Sequence, residues 1–146
     1  LRQRFNHVIV DLPMPPGTME RMVLQRARHV VLVMAPDVAS IRDTVALKKV
    51  VALTGSAGRI LTVLNGAGRK GYLPTRLVAE GIGAMPEVIL PDLPRQLPRA
   101  ANLGRPALRD SAVLRRGLGI LSQEIAAVRS AERSRSLFGR LFGRGG

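Results

Sequence analysis

Apolar residues fall into short continuous blocks separated by stretches of helix length. HVIVDL (7–12), HVVLVMA (29–35), RILTVLN (59–65) and EVILP (87–91) are rich in β-branched residues and lack polar alternation. Strands covered on both faces read this way, because neither face meets water. Between them, TMERMVLQRA (18–27), VASIRDTVALKKVVAL (38–53) and PTRLVAEGI (74–82) space their apolar residues three and four apart. That spacing predicts helices with one face on a core. Strand and helix in alternation predict an α/β fold: a parallel sheet of four strands with right-handed crossovers. Gly55, Gly58, Gly66, Gly68, Gly71 and Gly83 fall in the connections, as turn chemistry requires. PRAANLG then leads into a long helix predicted over 108–130, with Val113, Leu114, Leu118, Leu121, Ile125 and Val128 on one face.

Composition changes this picture in three ways. At 146 residues and 46% hydrophobic content, the chain is one domain or part of one, with enough apolar material for a core. A formal charge of +13 implies an anionic partner: nucleic acid, acidic lipid or nucleotide phosphate. The absence of cysteine excludes disulfides, thiolate metal sites and cysteine nucleophiles. No apolar stretch approaches the ~18 to 20 residues that span a bilayer, and no signal peptide is recognised, so the expected location is cytosolic or membrane-peripheral. Because RFNHVIVDL enters a strand almost at once after a leading Leu1, the chain is expected to be a fragment lacking an N-terminal part.

In open parallel sheets, ligands bind where strand C-termini meet loops. The candidate residues are therefore Asp11, Ala35 to Asp37, Asn65 and Pro91 to Asp92. Asp11 after four apolar residues has the form of a Walker B acid, which holds Mg²⁺ beside nucleotide phosphates. Equally, it has the form of a turn or N-cap aspartate opening the PMPPG loop. A G-x-x-x-x-G-K-[ST] phosphate cradle would decide between them, and the sequence has none. GSAGR (55–59) and GAGRKG (66–71) are glycine-rich and basic but lack the Lys-Ser/Thr pair, and read as flexible turns. Asn65 has an amide suited to an adenine edge, or to a simple turn. His7 and His29 have no second ligand at metal spacing, and Ser40, Ser56 and Ser111 have no nucleophile-elbow context.

The last residues change character. Leu137, Phe138, Leu141 and Phe142 form one apolar stripe if helical, with Arg133, Arg135, Arg140 and Arg144 available to the other surfaces. This pattern fits a basic amphipathic tail lying in an anionic membrane interface. Gly139 and Gly143 oppose it, each costing roughly 1 kcal/mol of helix propensity. Packing on the domain, or disorder, is the alternative.

Taken in order, these segments resemble the C-terminal half of the MinD/ParA class of deviant Walker ATPases. VIVDLP resembles that class's Walker B and switch II segment, and VVLVMAPDVASIRDT its following strand and helix. LTVLNGAG resembles the strand ending in the adenine-side Asn, and VILPDLPRQLPRAANLGRPA the loop that closes over the base. The run from GYLPTRLVAEG to LGRPAL looks most like the CpaE/TadZ pilus-assembly branch, which organises Flp/Tad pilus machinery at the inner membrane. The match covers residues 5 to 130. SLFGRLFGRGG also resembles the membrane-targeting helix of this class.

The resemblance implies a partial P-loop NTPase (Rossmann-like) sheet over 1–130 and a basic amphipathic tail over 131–146. It implies that Asp11 is the catalytic-site acid supporting Mg²⁺, that Asn65 contacts adenine, and that Pro91 and Asp92 line the base pocket. Asp37 stands where the class pairs an acid with the signature P-loop lysine. Arg42 and Asp43 fall on a dimer or partner helix, and Leu137, Phe138, Arg140, Leu141, Phe142 and Arg144 on the membrane contact. The implied function is a pilus-assembly localisation ATPase, a nucleotide-dependent homodimer peripheral to the inner membrane that engages the pilus secretion machinery. ATP and Mg²⁺ belong to the full-length protein, a weak ATPase. This chain lacks the P-loop and is expected to be inactive and to bind no nucleotide tightly. Met14 departs from the class, which often has a small or basic residue after D-x-P. The alternatives are a septum-site or partition-type ATPase on membrane or non-specific DNA, and a non-catalytic scaffold with the same fold.

Overall fold

Leu61, Thr62, Val63 and Leu64 are all buried, so the strand that contains them is covered on both faces. In the computed structural model, which describes Phe5, residues 7–55 and residues 58–126, this strand is the centre of a parallel sheet. The elements run α1 (Thr18–Arg26), β1 (His29–Met34), α2 (Val38–Leu53), β2 (Arg59–Ala67), α3 (Thr75–Ile82), β3 (Val88–Pro91), α4 (Gln96–Asn102) and a 3₁₀ turn (Ala107–Arg109). Residues 112–126 are helical and are called α5. The strand order is β1-β2-β3, with His29 opposite Arg59, Met34 opposite Leu64, and Val63 opposite Val88.

Side chains alternate across this sheet and split the core in two. On one face, Val30 and Leu32 pack with Leu24 of α1 and Val51 of α2. On the same face, Met34 and Leu64 pack with Val78 and Ile82 of α3. On the other face, Val63, Val88 and Leu90 meet Leu114, Leu118 and Leu121 of α5. Two glycines set the helix distances. A Cβ on Gly81 would lie 2.7 Å from Ile41 Cγ2, so its absence brings α3 against α2. A Cβ on Gly117 would overlap Leu90 Cδ2, so α5 rests on β3 through a bare backbone.

Local chemistry ends each element. Asp37 caps α2, its Oδ1 accepting the Ser40 amide at 2.7 Å. Ser111 begins α5, its Oγ accepting the Leu114 amide at 3.3 Å. Gly83 closes α3 in the left-handed conformation (φ 79°), which a side chain would strain. Arg59 at the start of β2 pairs with Glu124 of α5 at 2.5 Å, tying that helix to the sheet.

The strand expected over 7–12 is not a strand, so the described sheet has three strands where four were expected. Val8, Ile9 and Val10 face solvent, Ile9 with 94% of its surface exposed. A strand is held by its neighbour's hydrogen bonds, and β2 already occupies the inner edge of β1. The outer edge of β1 is not paired with residues 7–12, and Leu12 alone of the segment packs near Val30 and Leu32. Both-face burial likewise holds for β2 but not throughout β1, where Val33 is 65% exposed. The helix expected over 108–130 divides into the 3₁₀ turn and α5, because Ser111 caps a new start. Val113 is exposed rather than on the inner face, and Val128 lies outside the described residues.

Candidate functional site

The C-terminal ends of all three strands converge on one edge of the sheet. Three backbone hydrogen bonds weld that edge. The Leu73 amide donates to Pro36 O at 2.8 Å, joining the β2–α3 loop to the end of β1. The Asp92 amide donates to Ala67 O at 2.9 Å, joining the end of β3 to β2. The Tyr72 amide donates to Arg69 O at 3.2 Å within the loop. Asn65 stands opposite Leu90 and Ala67 opposite Pro91, so Asn65 and the Pro91-Asp92 pair end adjoining strands, and Asp37 follows the Pro36 that accepts from Leu73.

The ladder is irregular just past Asn65. The β2–β3 register pairs Asn65 with Leu90 and then Ala67 with Pro91, so one extra residue is accommodated on β2. Gly66 supplies it with φ 85°, a conformation that other residues adopt only under strain. Such a bulge bends the strand and re-aims the adjoining side chain. Asn65 is exposed, while the four residues before it are buried.

Asp37 is half-buried at the same edge, with its Oδ1 engaged by the α2 amide. The N-terminus of a sixteen-residue helix also favours a negative charge there. Arg42 and Asp43 pair with each other at 3.3 Å on the exposed surface of α2, a neighbour contact that leaves both side chains open to solvent. Asp11 lies apart from the sheet, exposed on the 7–12 segment. The tail residues Leu137, Phe138, Arg140, Leu141, Phe142 and Arg144 lie outside the described residues.

The glycine-rich run 66–71 is more structured than its composition suggests. Gly66 and Ala67 belong to β2, Arg69 N–H donates to Gly66 O at 3.2 Å, and the Arg69 guanidinium stacks over the Tyr72 ring at 4.7 Å. The loop therefore presents Arg69 and Lys70 on a fixed base. The sequence signal was available: Tyr72 is the only tyrosine and stands three residues after Arg69.

At the opposite, N-terminal edge, Glu87 accepts from the Thr62 amide at 2.6 Å and from its hydroxyl at 2.7 Å. Burial pushes this carboxyl up, but the Thr62 hydroxyl and amide, its own backbone and the Lys48 charge together hold it below 4.5. The side chain thus occupies a ladder position that β3, starting at Val88, does not reach. Its effect is structural: it closes the sheet where the site is not.

No family model matches the chain, and no curated protein matches it. Among the described residues, no helix is long and apolar enough to cross a membrane.

Proposed function

We propose that this chain is the C-terminal half of a MinD/ParA-type ATPase domain of the pilus-assembly (Flp/Tad) branch. In this reading Asn65, Pro91 and Asp92 form the adenine side of a nucleotide site. Asp37 pairs with the signature lysine of the P-loop, and Asp11 supports Mg²⁺ and the switch loop. The observation that carries the reading is the welded edge: an exposed Asn at the end of β2, next to a bulge, with a Pro-Asp pair at the end of the adjoining strand. Ligands of open parallel sheets bind at that edge. An amide that both donates and accepts matches the adenine edge, and Pro91 offers an apolar flank.

The phosphates need a cradle of backbone amides and a lysine, which these residues do not supply. The outer edge of β1 and the exposed Val8 to Val10 suit a further strand laid beside them, and a P-loop segment is the proposed source. ATP would then hold two copies together, and dimerisation would combine weak contacts of the tail with an anionic membrane into firm attachment. The partner, taken from the resemblance to the pilus-assembly branch, is the pilus secretion machinery at the inner membrane.

The test uses the protein joined to its P-loop segment. Mg·ATP binding by that protein should weaken at least tenfold on Asn65→Ala with no loss of fold. Binding unaffected by Asn65→Ala would remove the adenine role, and absence of nucleotide binding would remove the reading altogether.

A further inference from the structure

Residues 95–116 carry six arginines, Arg95, Arg99, Arg105, Arg109, Arg115 and Arg116, against one acid, Asp110. The segment contains no lysine and no aromatic residue. All six arginines are exposed, whereas Ala100 of α4 is buried. The stretch folds as one unit. The Arg105 amide donates to Ala100 O at 2.9 Å, joining the end of α4 to the 3₁₀ turn. Arg115 Nη1 donates to Leu108 O and Arg109 O at 2.7 and 2.8 Å, binding α5 to that turn. Those acceptors are neutral, so the Arg115 charge is not cancelled. The ion pairs Arg42–Asp43, Arg59–Glu124 and Arg76–Glu80 involve none of the six. Interleaved with these arginines along the chain are Leu97, Leu103, Leu108 and Val113, all exposed.

We propose that this surface docks on an anionic lipid bilayer, with the arginines on lipid phosphates and the aliphatic side chains entering the headgroup boundary. The charge fixes an anionic partner, and arginine suits phosphate because its planar fork binds two oxygens at once. The interleaved leucines choose lipid over nucleic acid. Exposed aliphatic groups gain by entering a membrane interface, whereas a nucleic acid backbone offers them no apolar phase. Bases would be gripped by stacking on aromatic rings, which this segment lacks. The inference goes beyond the proposed ATPase switch, since it needs neither nucleotide nor the tail.

The test is co-sedimentation of the full chain with vesicles of phosphatidylglycerol and phosphatidylcholine in equal parts, beside titration with a short duplex DNA. Each basic residue near an anionic surface contributes about fivefold. The quadruple variant R95Q/R99Q/R105Q/R109Q, with the tail intact, should therefore lose at least about 100-fold in vesicle affinity. Its melt should match the parent, because these side chains are exposed. The variant L97S/L103S should lose about tenfold on vesicles and nothing on DNA. A chain with Leu137, Phe138, Leu141 and Phe142 changed to Ser should retain binding that the arginine changes then abolish. Vesicle affinity unchanged in the quadruple variant would overturn the proposal. So would a quadruple variant that loses DNA but keeps lipid, or a leucine variant that binds vesicles like the parent.

Discussion

Asp37 can be questioned by a pair of substitutions. Its carboxylate accepts the Ser40 amide at 2.7 Å, one of the first amides of α2 that have no intrahelical partner. Removing the acceptor in Asp37→Ala should cost about 1 kcal/mol, within the 0.5–2 range typical of N-caps. The loss acts on the whole domain, because α2 contributes Val51 and Ile41 to the clusters under β1 and α3. Asp37→Ser restores a capping oxygen without the charge and gives up only the helix-dipole interaction, about 0.3–1 kcal/mol. With a urea slope of roughly 1–2 kcal/mol/M, Asp37→Ala should lower the midpoint by about 0.5–1 M, and Asp37→Ser by less. Equilibrium urea unfolding followed by circular dichroism measures both. An alanine variant as stable as the parent, or a serine variant as damaged as alanine, would refute the capping role and leave Asp37 free for the lysine pairing that the family resemblance implies.

Two further outcomes follow from packing and charge. Gly117→Ala should destabilise by about 1–3 kcal/mol, since the new methyl must displace Leu90 from under α5, while Gly119→Ala, which meets nothing within 4 Å, should be neutral or stabilising in the same thermal melt. Glu87 is held below its ordinary value of 4.5, so its contribution is present above that pH and is lost as pH falls through the lowered value. Stability measured between pH 6 and pH 3 should therefore fall less steeply in Glu87→Gln than in the parent, and parallel curves would contradict the Thr62 contact.

The helices were legible because their periodicity answered to real burial. Val38–Leu53 begins and ends where its pattern does, with Asp37 ahead of it as the cap. Thr75–Ile82 stops at Gly83, whose left-handed conformation few other residues tolerate. The strand HVIVDL was misread because apolar content measures a wish for cover, not the presence of a neighbour. Its six residues are nearly as apolar as those of β1, yet only β1 has β2 beside it. α4 went unseen because Pro98 sits inside it and its polar, arginine-bearing surface faces solvent. The proline is accommodated because it lies in the first turn, where amides lack helical partners anyway.

The candidate site was legible as a set of strand ends but not as a geometry. Topology alone brought Asp37, Asn65, Pro91 and Asp92 to one edge, which the strand order supports. The bulge next to Asn65 depends on register, and no single-strand pattern encodes register. The Arg69–Tyr72 stack was missed for a different reason: glycine content suggests freedom and masks the Arg69–Tyr72 spacing, while three hydrogen bonds of the loop remove that freedom. Asp11 was placed by a strand that does not form among the described residues, so its position now rests on the proposed neighbour of β1.

The most direct measurement is the sedimentation velocity of the protein joined to the proposed P-loop segment, with Mg·ATP, with Mg·ADP and without nucleotide, in the parent and in Asp11→Ala. The account predicts a dimer with ATP alone, reverting to monomer with ADP, and no ATP-dependent dimer once Asp11 is removed. A sedimentation coefficient indifferent to nucleotide in the parent would contradict it.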